Sequence, residues 1–153
     1  MRGFTLIEIL IYSALTSIII GGSLVAVYQI IESNNGIYDS IIIEQEANFL
    51  LQKIKWALIG ATAINIPPVD ATSSTLSVNK ANFSDNPIIV DLNSNNLRLK
   101  NGLNEWNILN SQNIAVNNVI FEHQAANGNL PEAIKINLIV NSKLFNMTIY
   151  LRK

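Results

Sequence analysis

Cysteine is absent from this 153-residue chain, and histidine occurs once, at His123. The first absence excludes disulfides and thiolate-ligated metals. The second excludes His-rich metal sites and leaves a single imidazole for acid–base work. Charged side chains make up 14% of the sequence and the net charge is −1, so bulk electrostatics gives no case for a nucleic-acid partner. No GxSxG, P-loop or HExxH pattern is present. His123 follows Glu122 in an alternating segment, which sends the two side chains to opposite faces and prevents a dyad. The chain is therefore expected not to be an enzyme and to hold no cofactor. Asp85, Asp91 and Glu105 are oxygen donors of the kind calcium takes, but their spacing matches no dedicated calcium loop, and solvated turn carboxylates account for them. No metal ligand is assigned.

What the sequence does have is unevenly distributed. From Ile9 to Ile31 there is no charged residue. That run of 23 residues is about 35 Å long as a helix, against a hydrocarbon core of about 30 Å. Arg2 and the amino terminus precede it. Glu32 and Asp39 follow it, and the next basic residue is Lys53. Positive flanks stay inside, so the sequence predicts a single span with a cytoplasmic N-terminus and the remainder outside. A secretory signal peptide fits less well. Its apolar core is shorter, and Ala14 and Ala26 do not form a small-residue cleavage site.

Glu8 does not suit a plain anchor, because a carboxylate in a span costs roughly 2.5–3.5 kcal/mol at the centre and less near an end. Thr5-x-x-Glu8 is a capping-box pattern, with Thr5 as the N-cap. Glu8 also lies at the positive end of the helix dipole. Capping alone would explain an isolated pattern of this kind.

Beyond Ile31 the pattern becomes amphipathic. Ile43, Ala47, Leu50, Ile54, Ala57 and Ala61 form a helical stripe, with Glu44, Glu46, Gln52, Lys53 and Lys55 mostly elsewhere. The helix is expected to reach Ile59 or Thr62, where Ile66-Pro67-Pro68 prevents continuation. Asn34-Asn35-Gly36 marks a place where it would bend or break. Gly21-Gly22 is another, or else a site of close helix packing. Strands are expected at 75–78, 88–92, 97–100, 106–109, 114–122, 133–140 and 144–151. Asn101-Gly102, Asn127-Gly128-Asn129 and Asn141-Ser142 serve as turns. The many asparagines, including the pairs Asn95-Asn96 and Asn117-Asn118, suit tight left-handed turns, although a biased base composition would enrich them too. Six or seven strands with short loops predict an antiparallel sheet with one face on the amphipathic half of the helix. The fold class is α+β, a long N-terminal helix packed on a C-terminal β-sheet head. The expected segments are 1–3 (leader), 4–31 (hydrophobic helix), 32–62 (amphipathic continuation) and 63–153 (head). About 90 residues beyond the helix make a marginal core.

Gly3-Phe4-Thr5-Leu6-Ile7-Glu8-Ile9-Leu10 at the head of this apolar run resembles the processing site of the type IV prepilin family. The resemblance rests on about the first 30 residues. It implies that a membrane prepilin peptidase cuts between Gly3 and Phe4 and methylates the new amine of Phe4. It further implies that Glu8 neutralises the amine of a neighbouring subunit during assembly. The partners it implies are the peptidase, other pilin or pseudopilin subunits, an inner-membrane assembly platform and the membrane. The location it implies is the inner membrane first, and then a cell-surface or periplasmic fibre. The helix-then-hairpins layout is similar to minor pilins and pseudopilins. The C-terminal cysteine pair and the membrane-helix proline of many major pilins are missing, which puts the label of major pilin in doubt. Two rival functions stay open on sequence alone. One is a tip adhesin or DNA receptor, with Arg98, Lys100, Lys143, Arg152 and Lys153 as a basic patch and Trp106 or Tyr150 for stacking. The other is a signal-anchored surface protein that never polymerises.

Overall fold

The computed structural model describes residues 5–128 and 130–151, with the backbone alone over 34–37. One helix, α1 (Leu6–Leu58), precedes nine strands: β1 (Ala61–Ile66), β2 (Thr72–Ser73), β3 (Leu76–Lys80), β4 (Ile88–Asn93), β5 (Asn96–Asn101), β6 (Asn107–Ile108), β7 (Val116–Gln124), β8 (Ala133–Val140) and β9 (Lys143–Tyr150). The fold is α+β, as predicted. The chain divides into two units, Met1–Ile41 and Ile42–Lys153. The first contains the apolar part of α1, and the second contains the end of α1 and every strand.

The helix runs through Asn34-Asn35-Gly36 without interruption. A glycine inside a helix costs about 1 kcal/mol relative to alanine. Breaking the helix would free four amides and four carbonyls, a larger penalty. The helix stops at Leu58, earlier than the apolar stripe suggests. Gly60 takes a left-handed conformation (φ 76°) just past the end, the position where glycine terminates helices at no steric cost. Ala61, expected on the stripe, instead opens β1.

In the second unit α1 buries Ala47, Leu50, Leu51, Ile54, Ala57 and Leu58, and Ile43 packs at the margin. Leu51 and Leu58 widen the predicted stripe to the breadth of a core-facing helix. Against it lie residues from two antiparallel sheets, not the single sheet expected. One has the order β1-β3-β4-β5-β6 and the other β2-β7-β8-β9. Leu76, Val78, Ile88, Val90 and Leu97 come from the first, and Val119, Phe121, Ile134, Ile136 and Leu138 from the second; all are fully buried in one cluster with the helix. Strands β1 and β2 were not anticipated. β2 is only two residues long, paired with Glu122 and Phe121.

Two hairpins use the asparagine turns foreseen from the sequence. Ser94 and Asn95 both have positive φ between paired Asn93 and Asn96. Asn141 and Ser142 do the same between Val140 and Lys143. Two consecutive left-handed residues are the two-residue turn whose twist matches antiparallel strands. Asn117-Asn118, by contrast, lies inside β7, where the register with β8 shifts between Val116 and Asn118. Asn129 lies outside the described residues.

His123 ties the crossover between the sheets. Its ring is 2% exposed. Nδ1 donates to the Pro67 carbonyl at 2.8 Å, and Nε2 meets Glu132 Oε1 at 2.6 Å. Its backbone accepts from the Asp70 amide and donates to the Ala71 carbonyl. The segment joining β1 of one sheet to β2 of the other is thus pinned to β7 by both the main chain and the ring. Replacing His123 by alanine leaves the buried Pro67 carbonyl without its ring donor and removes a short contact of Glu132, at about 2–4 kcal/mol. Chemical denaturation of a soluble fragment beginning near Asn34 checks this. A shift in midpoint worth less than about 1 kcal/mol would contradict the role.

Candidate functional site

Two regions have to be weighed, the N-terminal part of α1 and the polar surface of the head. In the first, the helix starts at Leu6, and the Thr5 carbonyl accepts from the amides of Glu8 (3.1 Å) and Ile9 (3.3 Å). Thr5 therefore flanks the helix where an N-cap residue sits, and Glu8 falls in the first turn. Gly3 and Phe4 lie outside the described residues, as do Arg152 and Lys153.

From Leu6 to Ile31 the large apolar side chains project outward. Leu6 (79% exposed) and Leu15 (52%) mark the range. Soluble proteins rarely leave so continuous an apolar surface uncovered. The helix is long and apolar enough to cross a membrane.

Between Leu6 and Ile31 its serine and threonine hydroxyls are satisfied internally. Ser13 donates to the Leu10 carbonyl (3.0 Å), Thr16 to Tyr12 (2.7 Å), Ser17 to Ser13 (2.8 Å) and Ser23 to Ile19 (2.8 Å). That arrangement suits a medium that offers no hydrogen bonds. Around Gly21 and Gly22 the space a methyl group would fill is empty, so nothing within the chain requires glycine there.

On the head, the described members of the predicted basic patch fall on two different sheets. Arg98 and Lys100 lie on β5 in one sheet, whereas Lys143 and Tyr150 lie on β9 at the edge of the other. Arg98 is held by Asp91 through two hydrogen bonds, of 3.0 and 2.8 Å. Those bonds, ahead of the charge attraction between the pair, raise the pKa of its guanidinium. Trp106 does gather both β5 cations, with the Arg98 guanidinium 4.5 Å and the Lys100 ammonium 5.8 Å from its ring centroid. Lys143 lies 3.8 Å from Glu44.

Nor do the three carboxylates considered for calcium come together. Asp91 belongs to Arg98 and Asp85 accepts from Ser84. Among the described residues no group of three or more histidine, aspartate or glutamate side chains is placed to hold a metal.

Glu122 and His123 do face opposite ways. Glu122 accepts from Gln124 (2.9 Å) and pairs with Lys135 (3.5 Å), and these contacts, the Gln124 bond foremost, hold its carboxyl below the usual range. The carboxylate that His123 does meet, Glu132, was not anticipated. It lies just before β8, and only the β7–β8 register, which pairs His123 with Ile134, brings it close.

A profile described as the prokaryotic N-terminal methylation motif matches residues 1–24. The match covers the residues before α1 and the first part of that helix and leaves the head unmatched. No curated protein and no solved structure shows a significant match to the chain. The motif, set on an exposed apolar helix, fits a prepilin-like, membrane-anchored chain.

Proposed function

We propose that this chain is a structural fibre subunit of the minor pilin or pseudopilin kind. It would serve a type IV pilus, a type II secretion pseudopilus or a competence-type fibre. In this reading a prepilin peptidase cuts between Gly3 and Phe4 and methylates Phe4. The apolar part of α1 anchors the chain in the inner membrane with the head outside. The same surface later packs among the helices of neighbouring subunits. The observation that carries the reading is the methylation motif over residues 1–24 at the start of an uncovered apolar helix. Segments 4–31 and 32–62 then contain the buried and head-bearing halves of α1, which ends at Leu58, and 63–153 is the bulk of the head.

The physics of the first turn supports the assignment of Glu8. Cleavage leaves an ammonium on Phe4 at the positive end of its own helix dipole, an unfavourable place. A carboxylate from a neighbour relieves it. Buried between apolar helices, such a pair fixes axial register more than it adds net stability.

Mass spectrometry of membrane-extracted protein is the direct test. The expected N-terminus is Phe4, one methyl group heavier than the encoded residue. Gly3→Trp is expected to leave Met1 in place. Intact wild-type Met1 in cells with active prepilin peptidase would sink the proposal. Topology is tested separately. A reporter fused after Lys153 is expected to be active only outside the cytoplasm, and activity inside would rule out the orientation.

A further inference from the structure

Four strands form the edges of the two sheets, and three are unsuited to further pairing. β1 has two register irregularities against β3 and runs into Pro67. β2 and β6 are two residues each. β9 is different. Its eight residues pair with β8 in unbroken register from Val140↔Lys143 to Ala133↔Tyr150, and it contains no proline. Proteins ordinarily blunt an edge of this length with a bulge, a proline or an inward-pointing charge, and none interrupts the span from Leu144 to Tyr150.

The direction of its free groups is fixed. The Leu151 amide donates to the Glu132 carbonyl across the β8–β9 ladder, and Lys143 closes the two-residue turn opposite Val140. Backbone groups alternate along an antiparallel strand. The odd-numbered residues therefore face β8, and Leu144, Asn146, Thr148 and Tyr150 point their amides and carbonyls away from it. All four are exposed, and among the described residues no backbone partner takes these groups. Donors and acceptors alternating at strand spacing are matched by another extended backbone.

We propose that the partner strand is β9 of a second copy of this chain, added antiparallel about a twofold axis through Met147. This goes beyond the fibre reading and does not depend on it. With Met147 opposite its own counterpart, Leu144 faces Tyr150 and Asn146 faces Thr148 of the second copy. Every outward donor then meets an outward acceptor. The side chains agree as well. Leucine lies against tyrosine and asparagine against threonine on the exposed face, and Phe145 lies against Ile149 on the other. Lys143 faces Leu151, so no like charges meet. A slip of one residue would bring groups already bonded to β8 to the seam. A groove of about 560 Å³ between the end of α1 and β9, lined by Lys55, Leu58, Ile59, Met147, Thr148 and Ile149, lies beside this junction.

The experiment uses the full chain in mild detergent, and the absence of native cysteine makes disulfide trapping unambiguous. Oxidised Met147→Cys is expected to run at twice the 16.9 kDa chain mass. Leu144→Cys is not, because its copies would lie about 20 Å apart in this register. Thr148→Pro removes an outward amide and leaves the β8 ladder intact. It is expected to abolish the dimer in light scattering while the far-ultraviolet spectrum is unchanged. If that variant fails to fold, Leu144→Lys combined with Tyr150→Lys decides, since it sets like charges opposite each other at both ends of the seam. Wild-type protein that stays monomeric at all concentrations, with no Met147→Cys cross-link, would overturn the proposal. So would equal cross-linking of both cysteine variants, or capture of a different polypeptide by Met147→Cys in cells.

Discussion

Phe121→Ala is expected to unfold the head at temperatures where the wild-type protein is stable. Phe121 is the largest of the fully buried side chains. It lies on β7 between Ser73 of β2 and Ile136 of β8, so its ring is surrounded by strands on both sides as well as by the helix-facing core. Truncation removes the transfer energy of the ring and leaves a cavity the neighbours fill only partly, about 3–5 kcal/mol together. A domain of this size is stable by about 5–15 kcal/mol. The midpoint of thermal unfolding is expected to fall by roughly 12–20 °C. Ile120→Ala is the control. Ile120 is the next residue on the same strand but faces outward, 37% exposed, and its truncation is expected to cost less than about 1 kcal/mol. Both variants are measured in a fragment beginning near Asn34. Every buried core residue from Ala47 onward is retained there, and the fragment is expected to be soluble and folded. Similar losses for the two variants would show that β7 does not have the core face described.

Glu8→Gln carries the second large effect, and it separates two roles for one side chain. Glutamine also closes a capping box, so a Glu8 that acts only as a helix cap tolerates the change. A Glu8 that meets a neighbour's amine does not. The substitution then leaves an ammonium uncompensated among apolar helices, about 3–5 kcal/mol per subunit. Under the fibre reading, Glu8→Gln is expected to insert in the membrane and be cleaved normally while its presence in sheared fibres falls below detection. The variant is expressed beside the wild-type fibre proteins, and the N-terminus, the membrane fraction and the fibre fraction are compared. Normal incorporation defeats the pairing role, except for a subunit at the very tip, which has no neighbour above it. Loss from the membrane fraction would point to an insertion defect instead.

How far the sequence could be read depended on the range of the interaction. The stripe Ala47, Leu50, Ile54, Ala57 repeats within one helix, and β4, β5 and β8 alternate strongly; each stood close to where the pattern placed it. The left-handed turns at Asn95 and Asn141-Ser142 follow from local side-chain chemistry and were equally visible. The helix ends one residue short of Ile59, the nearer of the two expected stops; the farther, Thr62, follows from Ala61 continuing the apolar spacing, which hides the conformational stop at Gly60. β1 was missed because it is an irregular edge strand with little burial, so its composition shows no alternation. The division into two sheets was beyond reach. The chain leaves one ladder after β6 and starts another at β7, and β2 joins that second sheet by pairing with β7, about 50 positions along the chain, through two residues. The contact of His123 with Glu132 depends on register in the same way. The N-terminal motif was legible for the opposite reason. Capping residue, first-turn acid and apolar run are all local to the first 31 positions.

The hydroxyls of the apolar helix have a consequence for how that helix changes surroundings. Ser13, Thr16, Ser17 and Ser23 each return their proton to a carbonyl of the preceding turn. Under the fibre reading, moving the helix from lipid to a bundle of like helices therefore breaks none of these four bonds. The free-energy difference between the two media is then left to packing, to the polar ends of Tyr12, Tyr28 and Gln29, and to the charges at the start of the helix.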